Sequence, residues 1–292
     1  KAQAICPAWA FYQYRLNARQ LGEPVNGLDM MERGSLVHAV LAKFWQARDS
    51  NDLQDSIPDA LRAELLNIST AVLKTFNIER DDAFSEAFLN LEAERLSKLV
   101  FAWLIEVEML RPQGFAVQAC EQEHNIEIEG ISIKLIIDRV DFLDDDRLVV
   151  MDYKTGRQLD YKNWAAPNIT EPQLPIYAAF ILQDGDIGAV CYAKVRTADH
   201  AFIGVAAAEA LVQGATVFDD TRGRKVFDES TFPNWQHIIS HWRTQITATA
   251  RSLKTGDAAV RFESEGQLMY CDVTPLLRLP ERQLQFERQH KA

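Results

Sequence analysis

The sequence predicts an α/β domain in which a mixed central β-sheet is flanked by helices and preceded by a helical subdomain. Three observations support this fold class. The first third of the chain spaces its apolar residues as helices do, the middle is rich in strand-forming residues, and residues 234–254 form another long amphipathic pattern. Helices, then strands, then helices within 292 residues indicate one α/β domain with a helical annex.

The helical subdomain is predicted from three amphipathic segments at residues 31–48, 60–76 and 84–110. The first of them places apolar side chains at helical spacing at Leu36, Val37, Val40, Leu41 and Phe44. The Arg-Pro-Gln-Gly sequence at 111–114 is a stop signal for a helix. We therefore predict a single domain over residues 1–292, with the helical part at about 28–112 inserted before the core sheet.

The sheet is predicted to begin directly after this stop. Residues 115–129, 131–142 and 147–153 are rich in strand-forming residues, and in the second segment the side chains of one face are Ile131, Ile133, Leu135 and Ile137. The acidic run at 144–146 is typical of a hairpin turn. Residues 148–151 are apolar on both faces, which indicates a covered central strand.

The remainder of the chain alternates helix and strand again. We predict a helix at 171–183, strands at 187–196 and 201–205, the long helix at 234–254, and an irregular tail from residue 255.

Composition and charge argue against several classes of protein. No apolar run approaches the roughly 20 residues that span a bilayer, so no membrane partner is expected. A formal net charge of -11 argues against a protein that coats nucleic acid, but it allows an enzyme that binds DNA in one locally basic groove. The four cysteines form no CxxC pair, which favours a reducing cytoplasm. Because the first residue is Lys1, we expect a fragment of a longer protein.

An acid and a base at the end of the apolar strand are the clearest chemical feature of the sequence. Side chains alternate along a strand, so Asp152 and Lys154 lie on one side and Tyr153 lies on the other. A hairpin would bring Asp138 of the preceding strand close to Asp152. Two semi-buried carboxylates repel each other unless a cation lies between them, and oxygen ligands suit Mg²⁺ or Mn²⁺.

Taken alone, this motif also fits a structural ion pair on the rim of a sheet, either Asp152 with Lys154 or Asp138 with Arg139. Further motifs favour the chemical interpretation. The pieces, in chain order, are a Cys-Pro helix at 6–11, Gly-x-x-x-His at 34–38, Ile-Asp-Arg-Val-Asp at 137–141, Asp-Tyr-Lys-Thr-Gly at 152–156 and Gln-Leu-Pro-Ile-Tyr at 173–177.

In this order and spacing the five motifs resemble RecB-like nucleases of the PD-(D/E)XK superfamily, in particular the C-terminal nuclease domain of AddB-type helicase-nuclease subunits. The resemblance extends from Cys6 to about Arg278. It implies a restriction-endonuclease-like fold and a metal-dependent DNA nuclease, with exonuclease action in DNA repair or recombination. It also implies Mg²⁺ or Mn²⁺ as cofactor, single strands or duplex ends as substrate, and a helicase domain or subunit as partner.

The resemblance also implies a role for each matching residue. His38, Asp138 and Asp152 would bind the metal, with the carbonyl oxygen of Tyr153 as an extra ligand. Lys154 would position or help to deprotonate the attacking water and offset the charge of the transition state.

Three further positions complete the implied site. Gln173 and Tyr177, which lie four residues apart on one helix face, would help to place the DNA backbone and the lysine. Glu121 matches an acidic position that is often found before the hairpin.

The sequence departs from AddB-type domains where many of them bind an iron–sulfur cluster. Cys6 and Cys271 match two of four cluster positions, but Leu268 and Leu277 occupy the other two. We therefore predict no cluster, and instead expect these two leucines to close the domain by apolar packing.

Other functions and sites stay open at this point. The chain could be a catalytically silent DNA-binding or scaffold module of a helicase-nuclease complex, or an RNA-directed or phage-type exonuclease with the same chemistry. His237 and His241 lie four apart, but no third ligand is evident, so a solvated helix face is the favoured interpretation. The basic run at 222–225 fits a phosphate-binding loop or a solvated loop equally well.

Overall fold

The computed structural model describes residues 1–21, 25–46, 48–183 and 185–290. The described residues form one mixed sheet with its strands in chain order, namely β1 (Phe115–Ile128), β2 (Ile131–Leu143), β3 (Leu148–Lys154), β4 (Ile187–Lys194), β5 (Ala201–Ala206) and β6 (Thr216–Val217). The pairs β3–β4 and β5–β6 are parallel, and the other neighbouring pairs are antiparallel. The predicted mixed sheet is confirmed.

The helices before the sheet are α1 (Ala2–Ile5), α2 (Pro7–Ala10), α3 (Met30–Trp45), α4 (Ser50–Gln54), α5 (Pro58–Ile78) and α6 (Glu86–Glu106). The predicted helix at 31–48 includes position 47, which lies outside the described residues, and α3 ends at Trp45. A capping box begins α3, because the Asp29 carboxylate accepts from the Glu32 N–H at 2.7 Å and Glu32 accepts from the Asp29 N–H at 2.8 Å.

The helices after β3 are α7 (Gln173–Ile176), α8 (Trp235–Lys254), α9 (Thr274–Leu277) and α10 (Leu279–His290). The predicted helix at 171–183 is shorter than expected, and it continues as a π-helical turn over Tyr177–Ile181. The prediction of an irregular tail was wrong, because α10 forms there. That segment is rich in Glu, Gln and Arg, which favour helix without producing an apolar stripe, and Pro280 lies in its first turn.

Helices cover both faces of the sheet, which produces three layers. One core cluster joins α3, α5 and α6 to a face of the sheet through residues such as Val40, Leu65 and Trp103. A second cluster joins the opposite face to α7 and α8 through residues such as Leu174 and Trp242. Burial on both sides explains why every residue of β4 is buried and why β3 is an uninterrupted apolar run as far as Met151.

A third cluster packs the two ends of the described chain together. Cys6 and Trp9 of the first helices lie with Leu268, Cys271 and Leu277 in one buried group. The two leucines that stand at the expected cluster positions are therefore apolar packing residues, at 5% and 0% exposure. Of the aromatic residues in this N-terminal region, Trp9 is buried and Tyr14 is 65% exposed.

The β2–β3 hairpin has the predicted geometry. Its turn is formed by Asp144, Asp145 and Asp146, and the two strands pair from Phe142↔Leu148 to Arg139↔Met151. The next residues outward are Asp138 on β2 and Asp152 on β3. The expected approach of these two carboxylates is therefore confirmed.

No helix among the described residues is long and apolar enough to span a membrane.

Candidate metal centre

The strands β2 and β3 separate at the point where their acidic residues lie. Their ladder ends at Arg139↔Met151, and beyond it the Asp138 carboxylate accepts a hydrogen bond from the backbone N–H of Tyr153 at 2.7 Å. Asp138 and Asp152 are both buried. A carboxylate thus takes the place of a backbone acceptor at the end of the ladder.

Helix α3 brings His38 to the same point. The Nδ1 atom of His38 lies 3.3 Å from an Asp138 oxygen and 3.7 Å from a Glu121 oxygen. Its Nε2 atom lies 2.7 Å from the Tyr153 carbonyl oxygen. Glu121 is on β1 with a φ of 49°, a left-handed conformation that is uncommon for a residue other than glycine. The residue with this left-handed backbone conformation is thus the one whose carboxylate contacts His38.

The donor atoms fit a divalent cation. One ligand atom from each of His38, Glu121 and Asp138 lies within 4.8 Å of the others. Apart from its ion pair with Lys154, the buried carboxylate of Asp152 has no hydrogen-bond partner among the described residues. Two or three carboxylates with one imidazole are a donor set suited to Mg²⁺ or Mn²⁺.

Electrostatics within the cluster support the same interpretation. Burial lowers the pKa of His38, but hydrogen bonds to Asp138 and Glu121 outweigh burial and raise that pKa to about 10. Burial raises the pKa of Asp152, Lys154 opposes the rise, and Asp138 adds to it, so the pKa reaches about 6. The cluster holds excess negative charge, which a cation would neutralise in place of protons.

Lys154 lies next to Asp152 and contacts Gln173 of α7. Its ammonium group pairs with Asp152, and its Nζ atom lies 3.5 Å from the Gln173 Oε1 atom. The Gln173 amide donates to the Tyr177 hydroxyl oxygen at 2.9 Å, and the Tyr177 hydroxyl donates to the carbonyl of Ile136 on β2. The π-helical turn starts at Tyr177, and such turns are frequent at functional sites.

All the residues that the sequence singled out for the site are brought to one edge of the sheet. They are His38, Glu121, Asp138, Asp152, Tyr153, Lys154, Gln173 and Tyr177. Of the two ion pairs that the sequence allowed, that of Asp152 with Lys154 is observed.

Arg139 does not pair with Asp138. It contacts Glu108 and Asp141 in the core between the sheet and α3. Sequence reasoning missed this buried group because Glu108 is distant in sequence.

A family model of the PD-(D/E)XK nuclease superfamily matches residues 1–275. The chain belongs to the PD-(D/E)XK nuclease superfamily. Nucleases of this superfamily use divalent metals, and the His38, Glu121 and Asp138 cluster is consistent with such a site. A search of curated proteins found no match.

The other candidate sites of this PD-(D/E)XK nuclease have structural roles. The His241 imidazole lies 3.0 Å from the Ala166 carbonyl and packs edge-on against Phe232. The His237 ring contacts the helix cap Asn234 at 2.8 Å. In the basic run at 222–225, Arg224 donates to the Phe232 carbonyl at 2.7 Å, so it connects this turn to the segment at residue 232.

Proposed function

We propose that this chain is a metal-dependent deoxyribonuclease that hydrolyses phosphodiester bonds as an exonuclease. The observation that carries the proposal is the pairing of Asp152 with Lys154 next to the His38, Glu121 and Asp138 donors. Phosphodiester hydrolysis needs a polarised phosphoryl oxygen, an activated water and positive charge near the transition state. Each need has a candidate group within this one cluster.

The roles of the chain's own residues follow from their contacts. His38, Asp138 and Asp152 are the proposed ligands, and Glu121 joins them because its carboxylate shares His38 with Asp138. The Tyr153 carbonyl is proposed as an extra ligand, although it contacts the His38 Nε2 atom in this structure. A bound divalent cation would polarise the phosphoryl oxygen and lower the pKa of a bound water.

Lys154 is proposed to orient the attacking water and to offset the negative charge that develops on the phosphoryl group. Gln173 contacts both Lys154 and Tyr177, so Gln173 of α7 and Tyr177 of the π-helical turn would hold the ammonium in position. Burial raises the pKa of Tyr177 further above its ordinary value, so its hydroxyl keeps its proton and continues to donate to β2.

The cellular setting is part of the proposal. We infer that the substrate is single-stranded DNA or duplex ends, supplied by a helicase domain or subunit during repair or recombination, because the motifs resemble AddB-type domains. All four cysteines lie in the described part of the chain and are unpaired, which supports a reducing cytoplasm. A silent scaffold module is the second candidate. The buried Asp152 carboxylate argues against it, because the Lys154 ammonium is its one partner among the described residues and a scaffold gains nothing from that cost.

The test is nuclease activity on end-labelled single-stranded and double-stranded DNA with Mn²⁺ or Mg²⁺. We expect wild type to cut, and we expect Asp152→Ala and Lys154→Ala to lose at least roughly 10²-fold in rate. The control is Glu94→Gln, which removes an exposed carboxylate charge far from the site in the chain. A wild type that binds DNA but is inert with both metals would support the scaffold candidate instead.

A further inference from the structure

A fully buried ion cluster lies behind the metal centre. Arg139 donates to Asp141 at 2.6 and 2.8 Å and to Glu108 at 2.8 Å, and all three side chains have no exposed surface. Arg111 adds a second guanidinium, which pairs with Asp141 and lies 3.6 Å from Glu108. Two guanidinium groups and two carboxylates balance in charge, so the cluster is neutral overall.

The guanidinium of Arg139 has little freedom to move. It is held by two carboxylates and lies 4.0 Å from the centre of the Trp45 ring. Its Nη1 atom also donates to the hydroxyl of Tyr153 at 3.1 Å. Two carboxylates and the Trp45 ring fix the guanidinium of Arg139 independently of Tyr153. The bond therefore fixes the tyrosine by means of the arginine.

Tyr153 connects this cluster to the metal centre through its backbone. Its N–H donates to the Asp138 carboxylate at 2.7 Å, and its carbonyl lies 2.7 Å from the Nε2 atom of His38. Both partners are proposed metal ligands. The contacts replace the β2–β3 ladder, which ends two residues earlier at Met151. Beyond Met151, side chains of β2 contact Tyr153 of β3 in place of the backbone ladder. Among the described residues, the Asp138 carboxylate accepts from the Tyr153 N–H, and the Arg139 guanidinium donates to the Tyr153 hydroxyl oxygen.

We propose that the Tyr153 side chain is a positioning residue, which Arg139 anchors so that the Tyr153 backbone holds Asp138 and His38 at metal-binding distance. Partners that lie behind metal ligands fix the orientation of those ligands, and their loss weakens metal binding. The proposal deepens the proposed nuclease function and depends on it, because it assigns to one hydroxyl group the preorganisation of the metal ligands.

The test compares Tyr153→Phe with wild type by calorimetric titration of the metal-free protein with Mn²⁺. The variant keeps the ring and loses only the hydroxyl group. We expect its Mn²⁺ dissociation constant to rise by roughly 10- to 100-fold, in line with the loss of other groups behind metal ligands. Thermal unfolding of the metal-free protein is measured in parallel. A lower unfolding midpoint with unchanged Mn²⁺ affinity would indicate a purely structural role.

Two controls separate positioning from stability. Tyr161→Phe removes the hydroxyl of another tyrosine, which donates to the Thr216 hydroxyl oxygen at 2.8 Å and whose ring packs against Trp164 rather than Arg139. Val190→Ala removes core volume from strand β4 and destabilises the fold without touching the ion cluster. Both variants are expected to keep the wild-type Mn²⁺ affinity within about 2-fold, a loss well below that of a positioning group.

The outcomes distinguish this inference from the proposed function. A wild type that binds Mn²⁺ and cuts DNA, together with an unchanged affinity in Tyr153→Phe, would overturn the positioning role and leave the nuclease assignment intact. Equal losses of affinity in Tyr153→Phe and Val190→Ala would also overturn it, because destabilisation alone would then explain them. If wild type neither binds Mn²⁺ nor cuts, the proposed function and the inference fail together.

Discussion

At the scale of single residues, Asp152 combines a stability cost with a proposed role as a metal ligand. Its carboxylate is completely buried and receives no hydrogen bond from the described residues, and its compensation is the ion pair with Lys154. Its pKa of about 6 lies above the ordinary value of 3.8. In the metal-free protein the folded state therefore binds this proton more tightly than the unfolded state. The stability contributed by this carboxyl falls as pH rises from about 4 to about 6.

We predict that Asp152→Asn increases the stability of the metal-free protein. We also predict that the variant has no nuclease activity when Mn²⁺ is added. Removal of an under-compensated buried charge should increase the free energy of unfolding by about 1–2 kcal/mol at about pH 8, where the wild-type carboxyl is ionised. Thermal or urea unfolding measures the gain. Mn²⁺ should raise the wild-type unfolding midpoint and have much less effect on the variant, because one ligand is missing.

Glu94→Gln is the matched control for that variant, since it is also an acid-to-amide change but lies on an exposed helical ion pair with Lys98. It should change stability by less than about 0.5 kcal/mol. A loss of stability in Asp152→Asn would show that the carboxylate is well compensated in the metal-free fold, and it would weaken the argument from burial.

At the scale of secondary-structure elements, the position of β3, which carries Asp152 and Lys154, depends on its covered neighbour β4. The pairs Asp152↔Tyr192 and Lys154↔Lys194 place β4 directly beside the site, and β5 pairs with β4 on the other side. Gly204 on β5 lies against this strand so closely that a Cβ atom there would approach the Val190 carbonyl oxygen at 2.2 Å and the Cys191 Cα atom at 2.5 Å. The β4–β5 contact therefore requires a residue without a side chain.

We predict that Gly204→Ala destabilises the domain by about 2 kcal/mol or more, because backbone atoms, rather than a flexible side chain, would have to move. Gly266→Ala is the matched control, since its nearest neighbour would be the Ser264 hydroxyl at 3.8 Å. Urea unfolding of both variants measures the difference. Equal stabilities would mean that β5 can shift away from β4 without loss of packing.

At the scale of the whole molecule, the net charge of -11 limits how DNA can bind. Several basic residues on the strands around the site are paired with acids, as in Lys134 with Glu123 at 2.7 Å and Lys194 with Asp199 at 2.6 Å. We therefore expect binding to rely on the metal and on a small number of local contacts.

We predict a shallow salt dependence for single-stranded DNA. With two or three phosphates neutralised, a plot of log affinity against log salt should have a slope of about -2. Fluorescence anisotropy of the wild type with a nuclease-resistant phosphorothioate single strand measures this slope without loss of substrate. A slope steeper than about -4 would indicate an extended basic groove, which the described ion pairs do not provide.

The sequence by itself determined the local parts of this protein. Alternation along β3 fixed Asp152 and Lys154 on one side of the strand, and the acidic turn at 144–146 fixed the approach of Asp138. Apolar periodicity identified α3 and α8, because burial of one helix face leaves a repeat that is visible in sequence. The motif order was sufficient to indicate the superfamily, whose model matches residues 1–275.

The tertiary structure alone decided how distant parts meet. The left-handed backbone of Glu121 and the rotation of α3 that brings His38 to Asp138 depend on packing across the sheet, which leaves no local pattern. The same holds for the bond from Arg139 to Tyr153, since its supporting carboxylate Glu108 comes from another element. Short-range patterns record which face of an element is buried, whereas the contacts between elements are set only when the whole core packs.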